Sequence, residues 1–502
     1  MINIIYIRLA ICSVLVLLLN ACIINEKYPD LIDKDTPTNN TYYFKLTVTV
    51  PKESRGTENT DEFLIGSGNE SELKNAEIYF CEDNKILLQL TCNKIIENET
   101  SNNFDKIYSL SAQISNISDL TKLVGKNIQL FVIGNYDSLS HNFKSTNPSK
   151  ATFEITDINS CPIGNFKTEG KILPLVNANE INIKTFSSIN NKDESLNLKA
   201  IHELFEGGEN EFSFYLPSVD LERTVARIDI ADKSQNNNWI YSIGTSNINI
   251  KLYELQVFNV NPLSYLFRHI IKYPYDNTES LKLFGSEKTT TNDIIVTVSP
   301  NWHQRIELFN PLIYDSETHI KKGVNGENGK ISITDFQSNE YSYLKGNKRF
   351  FPWRYITENT IPPSITELET NATGIAFTFQ ILGADNSSLE FSEEKNNYPE
   401  GISNSNSTNY GIIVKDSNGS WIEVNSNDNH YYLTYFAYIV HNDNKDPNII
   451  GPMEFAILRN TVYQISVNSV KNLPNPKDPD SYFVNLDIHV LPWHRHDINM
   501  SW

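Results

Sequence analysis

The sequence has few cysteines and methionines, an excess of acidic over basic residues, and no long apolar run beyond its first twenty residues. It contains 5 Cys and 3 Met in 502 residues. So few cysteines do not support a disulfide-rich scaffold. Lys and Arg number 42 against 61 Asp and Glu, which gives a net charge of −19. Such a charge repels phosphate backbones and anionic lipids, so we expect no nucleic-acid partner.

Catalytic signatures are also missing. No Gly-x-Ser-x-Gly nucleophile elbow occurs. Gly323–Lys330 departs from a phosphate-binding loop because Val324 stands where that loop needs Gly. His202 lacks the second zinc-binding His, since Glu206 occupies its position. Three further histidines are accompanied by no acidic or Cys partner with metal-like spacing except Asp497 and are interpreted as solvent-facing: His489, His494 and His496. We therefore predict a non-enzymatic protein without cofactor or metal.

What the chain has in abundance is strand-forming composition. It is rich in Asn, Ser, Thr and Ile and contains 25 Tyr and 25 Phe, which favours a mostly β fold. Its length is enough for two domains. A short helix is predicted from Leu196 to Phe205, before Gly207-Gly208. Period-two alternation predicts strands at 44–50, 76–80, 86–90, 128–133, 212–216, 226–230, 248–257, 294–298, 374–381, 431–440, 462–467 and 484–490.

The N-terminus indicates export. Arg8 precedes the apolar run Leu9–Leu19, which is too short to span a bilayer comfortably. The segment ends in Leu-Asn-Ala-Cys, and this resembles a bacterial lipobox. We therefore predict a signal peptide over 1–21 and diacylation of Cys22, with a plain signal peptide and a chance cysteine as the alternative. Three cysteines then remain, enough for one disulfide at most: Cys81, Cys92 and Cys161.

Both ends of the mature chain alternate strongly. A polar tether leads to a strand whose apolar side chains are Phe44, Leu46, Val48 and Val50, and which Pro51 ends. An aperiodic polar loop follows and contains Arg55. The last residues alternate again, with the apolar positions Ile498, Met500 and Trp502. Such a terminus predicts pairing with a sheet.

Four motifs in the same order resemble the fimbrillins, the subunits of type V fimbriae. They are Val225–Ile230 (VARIDI), Tyr355–Thr360 (Y-x-x-EN-T), Glu454–Tyr463 with its RN-x-x-Y strand entry, and Val490–Trp493. The resemblance implies two tandem transthyretin/Ig-like antiparallel β-sandwich domains with short helices in their loops. The expected division is a tether and removable first strand over 22–55, domains over 56–217 and 218–502, and a terminal donor arm at about 493–502.

The resemblance also implies a mode of assembly. The precursor would be anchored by its lipid at the outer membrane and cut by an arginine-specific protease between Arg55 and Gly56. The first strand would then leave its sheet, and the C-terminal arm of another subunit would fill the vacated groove. Expected partners are other copies of the chain, accessory fimbrial subunits, and host or bacterial surface receptors. The expected function is a shaft subunit of a cell-surface fimbria that supports adhesion.

Other readings stay open on the sequence alone. The chain could be a tip or anchor subunit of the same family. It could instead be a monomeric surface lipoprotein that binds glycans through exposed aromatic side chains, with Trp353, Tyr355 and Trp421 as candidates. Arg55 could be an ordinary loop residue, and the final arm an ordinary last strand.

Overall fold

A computed structural model describes the chain between residues 41 and 492, with gaps. Residues 1–40 and 493–502 lie outside the description, and the longest internal gaps are 156–171, 185–199, 388–401 and 471–484. The side chains discussed below belong to one compact unit formed by residues 42–203 and 212–502. The domain boundary expected near residue 217 stays a prediction.

The described residues form 34 strands, one short α-helix and one 3-10 helix. The mostly β class predicted from composition is confirmed. The 3-10 helix spans Gly68–Ser71 and α1 spans Ile333–Gln337. The strands are β1 (Thr41–Pro51), β2 (Glu53–Arg55), β3 (Phe63–Ile65), β4 (Ala76–Glu82), β5 (Lys85–Thr91), β6 (Lys94–Glu97), β7 (Asp105–Ile114), β8 (Asn127–Gly134), β9 (Thr152–Glu154), β10 (Leu175–Asn177), β11 (Asn182–Lys184), β12 (Ala200–Ile201), β13 (Glu211–Tyr215), β14 (Val219–Arg223), β15 (Ala226–Asp232), β16 (Ile240–Ser242), β17 (Ile248–Phe258), β18 (Leu263–Tyr265), β19 (His269–Tyr273), β20 (Lys282–Leu283), β21 (Lys288–Thr290), β22 (Asp293–Thr297), β23 (Leu312–Asp315), β24 (Ile320–Val324), β25 (Lys330–Ser332), β26 (Tyr343–Lys345), β27 (Lys348–Ile356), β28 (Gly374–Gly383), β29 (Ile402–Asn404), β30 (Gly411–Lys415), β31 (Trp421–Asn427), β32 (His430–Tyr438), β33 (Thr461–Ser469) and β34 (Asn485–Pro492).

Every strand that the alternation predicted is present, to within three residues at either end. The predicted helix over 196–205 is wrong at Ala200 and Ile201, because these residues form β12. They pair with Phe214 and Ser213 of β13. Cross-strand pairing in the sheet has overridden the local helix preference here. The rest of that predicted helix lies outside the described residues.

The first half of the chain builds one eleven-stranded sheet. Its order is β12-β13-β1-β14-β10-β8-β4-β5, with β11 beside β8, β7 beside β1, and β6 beside β7. Apolar side chains of these strands gather into one core, which includes Phe44, Phe80, Leu110, Leu130 and Leu221. In this sheet β1 is an interior strand.

The second half builds two larger sheets. One has the order β26-β27-β15-β33-β34, and the other has the order β16-β17-β28-β32-β31-β30-β29 with β25 beside β17. Ile228 and Ile230 of the first sheet share a core with Phe377 and Phe379 of the second. The two sheets therefore pack face to face as a β-sandwich.

Sheet register decides the state of two cysteines. Cys81 pairs with Ile86 across β4 and β5, whereas the backbone N–H of Cys92 donates to the carbonyl oxygen of Ala76 over 2.9 Å. Cys92 is therefore displaced along β4 by the distance from residue 76 to residue 81, about 17 Å at the usual rise of a strand. A disulfide needs Cα atoms within about 7 Å. The bridge between Cys81 and Cys92 that the sequence left open is excluded, and both are free thiols. Cys161 lies outside the described residues.

Burial raises the pKa of both thiols to about 12. We therefore expect Cys81 and Cys92 to resist alkylation in the native protein at pH 8, because the thiolate is the reactive form. In guanidinium without reductant, both should be alkylated completely, as read by peptide mass spectrometry. A disulfide-linked peptide that contains both residues would overturn the register described above.

Candidate functional site

The backbone of β1 is hydrogen-bonded to strands along both edges. On one side it pairs antiparallel with β7, from Tyr42 opposite Ile114 to Pro51 opposite Asp105. On the other side it pairs parallel with β14, where Val48 lies opposite Val219. Nearer its start, β1 borders β13 in the sheet order. The groove between β7 on one side and β13 and β14 on the other, which β1 fills, is called the β1 slot below.

The inward side chains of β1 from Phe44 to Val50 are all buried. Phe44, Val48 and Val50 are fully buried and Leu46 is 3% exposed. Burial of four such side chains contributes at most about 6–12 kcal/mol, at roughly 1.5–3 kcal/mol each. That is comparable to the whole net stability of a domain, about 5–15 kcal/mol. A sheet that lost β1 would therefore expose an apolar slot with unpaired backbone groups on both walls.

The predicted cleavage residue lies directly after this strand. Arg55 is the last residue of β2, which pairs with β3 so that Arg55 is opposite Phe63. Cα atoms of β2 lie within 8 Å of those of β34, the strand that precedes the predicted arm. Gly56, Cys22 and the arm residues Ile498, Met500 and Trp502 lie outside the described residues. The roles assigned to these residues and to Arg55 stay predictions.

A buried ion-pair cluster connects the next segment of the chain to the second half. Alternation along β15 directs Ile228 and Ile230 into the sandwich core, so Arg227 and Asp229 lie on the opposite face. Nη1 of Arg227 donates to both carboxylate oxygens of Glu70, over 2.8 and 3.0 Å. Its Nε and Nη2 donate to the two oxygens of Asp229, each over 2.8 Å.

The guanidinium of Arg227 is therefore held between two carboxylates with no exposure to solvent. Burial alone lowers the pKa of Arg227, but the charges of Asp229 and Glu70 raise it well above its ordinary value. Hydroxyl donors complete the cluster. Tyr355 donates to Glu70 over 2.6 Å, and Tyr343 donates to Asp229 over 2.6 Å.

A second buried arginine links the β1 slot to β33. Arg223 ends β14, a wall of the slot, and donates to Ser71 Oγ over 3.0 Å and to Asn460 Oδ1 over 3.4 Å. The backbone N–H of Asn460 donates to the carbonyl of Val225 over 2.8 Å. Burial lowers the pKa of Arg223 to about 10, so it stays charged at neutral pH. Asn460 immediately precedes β33, which pairs with β34.

Arg459 fixes the neighbouring turn. It donates to Glu358 Oε2 over 2.6 Å and to the carbonyl of Leu266 over 2.7 Å. Glu222, next to Arg223, receives a charged hydrogen bond from Arg268 over 2.5 Å. The side chains of Arg459 and Glu358 are almost completely excluded from solvent. Charged hydrogen bonds thus join β14, the segment before β33 and the Y-x-x-EN-T motif.

Tyr463 of the RN-x-x-Y motif closes the same turn. Its hydroxyl accepts from the N–H of Leu458 over 2.9 Å and donates to the carbonyl of Ala456 over 3.2 Å. Nδ1 of His441 lies 3.0 Å from the same oxygen. Burial lowers the pKa of His441 to about 4, so this imidazole is neutral at pH 7.

The motifs that carried the family resemblance are therefore structural. Their polar members are all buried: Arg227, Asp229, Tyr355, Thr357, Glu358, Asn359, Thr360, Glu454, Arg459, Asn460, Thr461 and Tyr463. Sequence reasoning missed Glu70 and Arg223. Arg223 follows the alternating residues Val219 and Leu221, and Glu70 lies in the polar segment Gly68–Ser71. Both patterns are equally typical of surfaces.

The glycan-binding alternative loses two of its three aromatic candidates. Trp353 and Tyr355 are fully buried in the largest cluster of apolar side chains, so the expectation that they are exposed is wrong. Burial of these large aromatic rings is favourable, and the Tyr355 hydroxyl donates a hydrogen bond to Glu70 in the interior. The side chain of Trp421 lies outside the described residues.

The remaining weak motifs are located as follows. Gly323 and Val324 end β24 and Lys330 begins β25. His489 lies on β34 opposite Gln464, while His202, His494 and His496 lie outside the described residues. Where the chain is described, no group of three or more potential metal-binding side chains is found. None of its described helices is long and apolar enough to cross a bilayer.

Comparison with known proteins identifies one segment. Residues 429–499 match the family described as major fimbrial subunit protein type IV, fimbrillin, C-terminal. The resemblance to the fimbrillins is confirmed in this segment, which includes β32, β33 and β34. No curated protein matches the chain.

Solved structures give similarities of low identity. A fimbrilin from Porphyromonas gingivalis W83 is 12% identical, with 90% of this chain and 98% of that chain covered at a TM-score of 0.37. A C-terminally truncated tip fimbrial protein from Porphyromonas gingivalis is 10% identical, with 89% and 100% covered at a TM-score of 0.32.

Removal of Arg227 should destabilise the protein severely. Arg227→Met leaves the carboxylates of Glu70 and Asp229 buried without their cation, and breaking a buried pair in this way costs about 3–5 kcal/mol. Chemical denaturation followed by circular dichroism measures the loss. The exposed pair Lys122–Asp119, at 2.6 Å, supplies the control, because Lys122→Met should cost no more than about 1 kcal/mol. Equal losses in the two variants would contradict the structural role of Arg227.

His441 should make stability depend on pH in a defined window. Its pKa is near 4 in the folded protein and about 6.5 when unfolded, so unfolding takes up a proton between these values. Stability should therefore fall as pH drops from 6.5 towards 4, by about 1.4 kcal/mol per pH unit from this group. His441→Leu should flatten the profile of unfolding free energy over that window. Parallel profiles for the two proteins would exclude His441 as the source.

Proposed function

We propose that this protein, fimbrillin-like in its C-terminal segment, is a structural subunit of a cell-surface fimbria that polymerises by donor-strand exchange. In this proposal the chain is exported as a lipoprotein precursor modified at Cys22 and anchored at the outer membrane. A protease specific for arginine cuts it between Arg55 and Gly56. The C-terminal arm of another copy then replaces β1.

The observation that supports exchange most directly is the interior position of β1. A strand bonded on both edges, with four buried apolar side chains, is normally a permanent part of its sheet. Here, however, the predicted cleavage site at Arg55 lies only five residues after Val50. Cutting there converts an intramolecular strand, present at high effective concentration, into a peptide that can dissociate. Exposed backbone groups and apolar surface then favour capture of another strand.

The ion-pair cluster determines what cleavage leaves behind. Glu70 and Ser71 follow the proposed cut and are bound to Arg227 and Arg223 in the interior. The mature chain would therefore stay anchored from Gly68 onward, and only β1 and β2 would be released. After release of β1, strand β7 would keep β6, β13 would keep β12 and β14 would keep β10. These walls would lose the strand that joins them, which leaves the slot unfilled.

The proposed donor is residues 493–502 of a second copy. This arm follows β34, an edge strand of its sheet. It could therefore extend to another subunit without disrupting hydrogen bonds between interior strands. Its apolar positions Ile498, Met500 and Trp502 have the period-two spacing of the β1 side chains that they would replace. Having both a slot and an arm, the chain suits the shaft, where each subunit accepts one strand and donates another.

Treatment of purified residues 23–502 with an arginine-specific protease tests the proposal. We expect a mature chain that begins at Gly56 by mass spectrometry, and fibres by electron microscopy. Deletion of 493–502 should permit cleavage but abolish fibres, and Arg55→Ala should prevent both. Mass spectrometry must also show that Arg495 in the arm stays uncut.

Two results would oppose the proposal. Fibres built from uncleaved precursor would rule out the shaft assignment and would show that β1 need not leave. Clean cleavage at Arg55 without assembly at any protein concentration, and without binding of added arm peptide 493–502 to the cleaved protein, would rule out exchange through this slot.

A further inference from the structure

The places along the β1 slot differ in size and chemistry. At one end, the ring of Phe44 lies between Phe80 and Phe214, with ring centroids 4.8 and 5.5 Å away. Tyr42 stacks on Phe214 at 6.3 Å and extends this aromatic environment. The three places further along hold the smaller aliphatic side chains of Leu46, Val48 and Val50. The slot therefore has one wide aromatic end and a narrower aliphatic remainder.

The arm is equally asymmetric. Its apolar residues increase in size towards the end of the chain, from Ile498 through Met500 to Trp502. An indole in a place shaped by valine would overpack the core and force its neighbours to move. Among the buried places of the slot, only that of Phe44 offers nearly enough room, together with aromatic partners whose edges and faces an indole can use.

We propose that the arm enters the slot in the direction opposite to β1, with Trp502 in the place of Phe44. Met500 then takes the place of Leu46, and Ile498 takes that of Val48. His496 falls at the fully buried place of Val50. Because Phe44 is near the start of β1, an arm running the same way with Trp502 there would put Met500 at Tyr42, the first place of the slot, and Ile498 before the slot. The inference rests on the proposed function, since it assumes that the arm is the donor.

The polar side of the arm agrees with this direction. In the proposed register Ser501 lies opposite Ser111 of β7, and Asn499 lies opposite Ser109, in the places of Lys45 and Thr47. Arg495 takes the place of Pro51, opposite Asp105, which puts opposite charges across the strand pair. If Ile498 instead took the place of Phe44 and the arm ran parallel to β1, Arg495 would fall before the slot.

Backbone pairing opposes the reversal only weakly. A reversed strand pairs parallel with β7 and antiparallel with β14, the converse of β1. Parallel pairing is only slightly less stable per residue than antiparallel pairing, and the contact with β14 becomes antiparallel. In this register, arm residues 495–502 occupy eight of the eleven places of β1, from Pro51 to Phe44. Side-chain size therefore determines the direction.

Engineered cysteine pairs distinguish the two directions. In the full precursor with Cys92→Ser and Cys161→Ser, Ser501→Cys is combined with Ser111→Cys or, as the matched control, with Ser109→Cys. After cleavage at Arg55 and assembly, mild oxidation should give a covalent ladder with Ser111→Cys. The Ser109→Cys pair should link much less, because diagonal positions are about 7–8 Å apart. A ladder confined to Ser109→Cys would overturn the proposed direction and leave donor-strand exchange intact.

Charge exchange supplies a second readout that needs no disulfide. Asp105→Arg should slow assembly by placing two arginines opposite each other, and adding Arg495→Asp should restore most of the rate. Failure of the second change to rescue the first would contradict the register. Absence of fibres and of covalent ladders in every variant, including one without engineered cysteines, would overturn the proposed function together with this inference.

Discussion

Arg227 is the constraint on which the arrangement of the chain depends. Its guanidinium is fully buried and satisfied only if the segment around Glu70, strand β15 and Tyr355 of β27 are all in place. A buried charge without such partners is strongly destabilising. The cluster is therefore weak evidence for high stability but strong evidence for a single arrangement, because alternative packings would leave an unpaired ion in the interior.

This constraint divides the chain into a part that can leave and a part that cannot. Before residue 68, β1 is held by sheet hydrogen bonds and by contacts of apolar side chains, which any strand of suitable pattern can reproduce. From Glu70 onward, geometry is fixed by charged hydrogen bonds that only these partners satisfy. The apolar contacts of β1 can be reproduced by another strand, which suits a strand that is exchanged. The charged hydrogen bonds from Glu70 onward cannot, which suits the part of the subunit that must keep its structure during exchange.

Sequence reasoning was most successful where structure follows from local pattern. The alternation of Phe44 to Val50 or Val462 to Val467 reports burial of one strand face directly, and these strands are present. Sequence reasoning failed where contacts between residues far apart in the chain determine the structure. Ala200 and Ile201 join β13 instead of a helix, Trp353 is buried by a sheet from elsewhere in the chain, and Glu70 meets Arg227 across 157 positions. No local pattern contains such pairings, and the motif resemblance did not supply them either.

The residues that made the family recognisable are not those that would perform its function. Arg227, Glu358 and Asn460 are distinctive because few side chains satisfy a buried ionic turn. The slot and the arm need only apolar side chains at every second position, a pattern shared by countless strands. A resemblance carried by the buried motifs therefore predicts the fold more firmly than the role of the subunit. Evidence for that role has to come from the size and order of the slot and arm side chains, where Phe44 and Trp502 are the most informative because they are the largest.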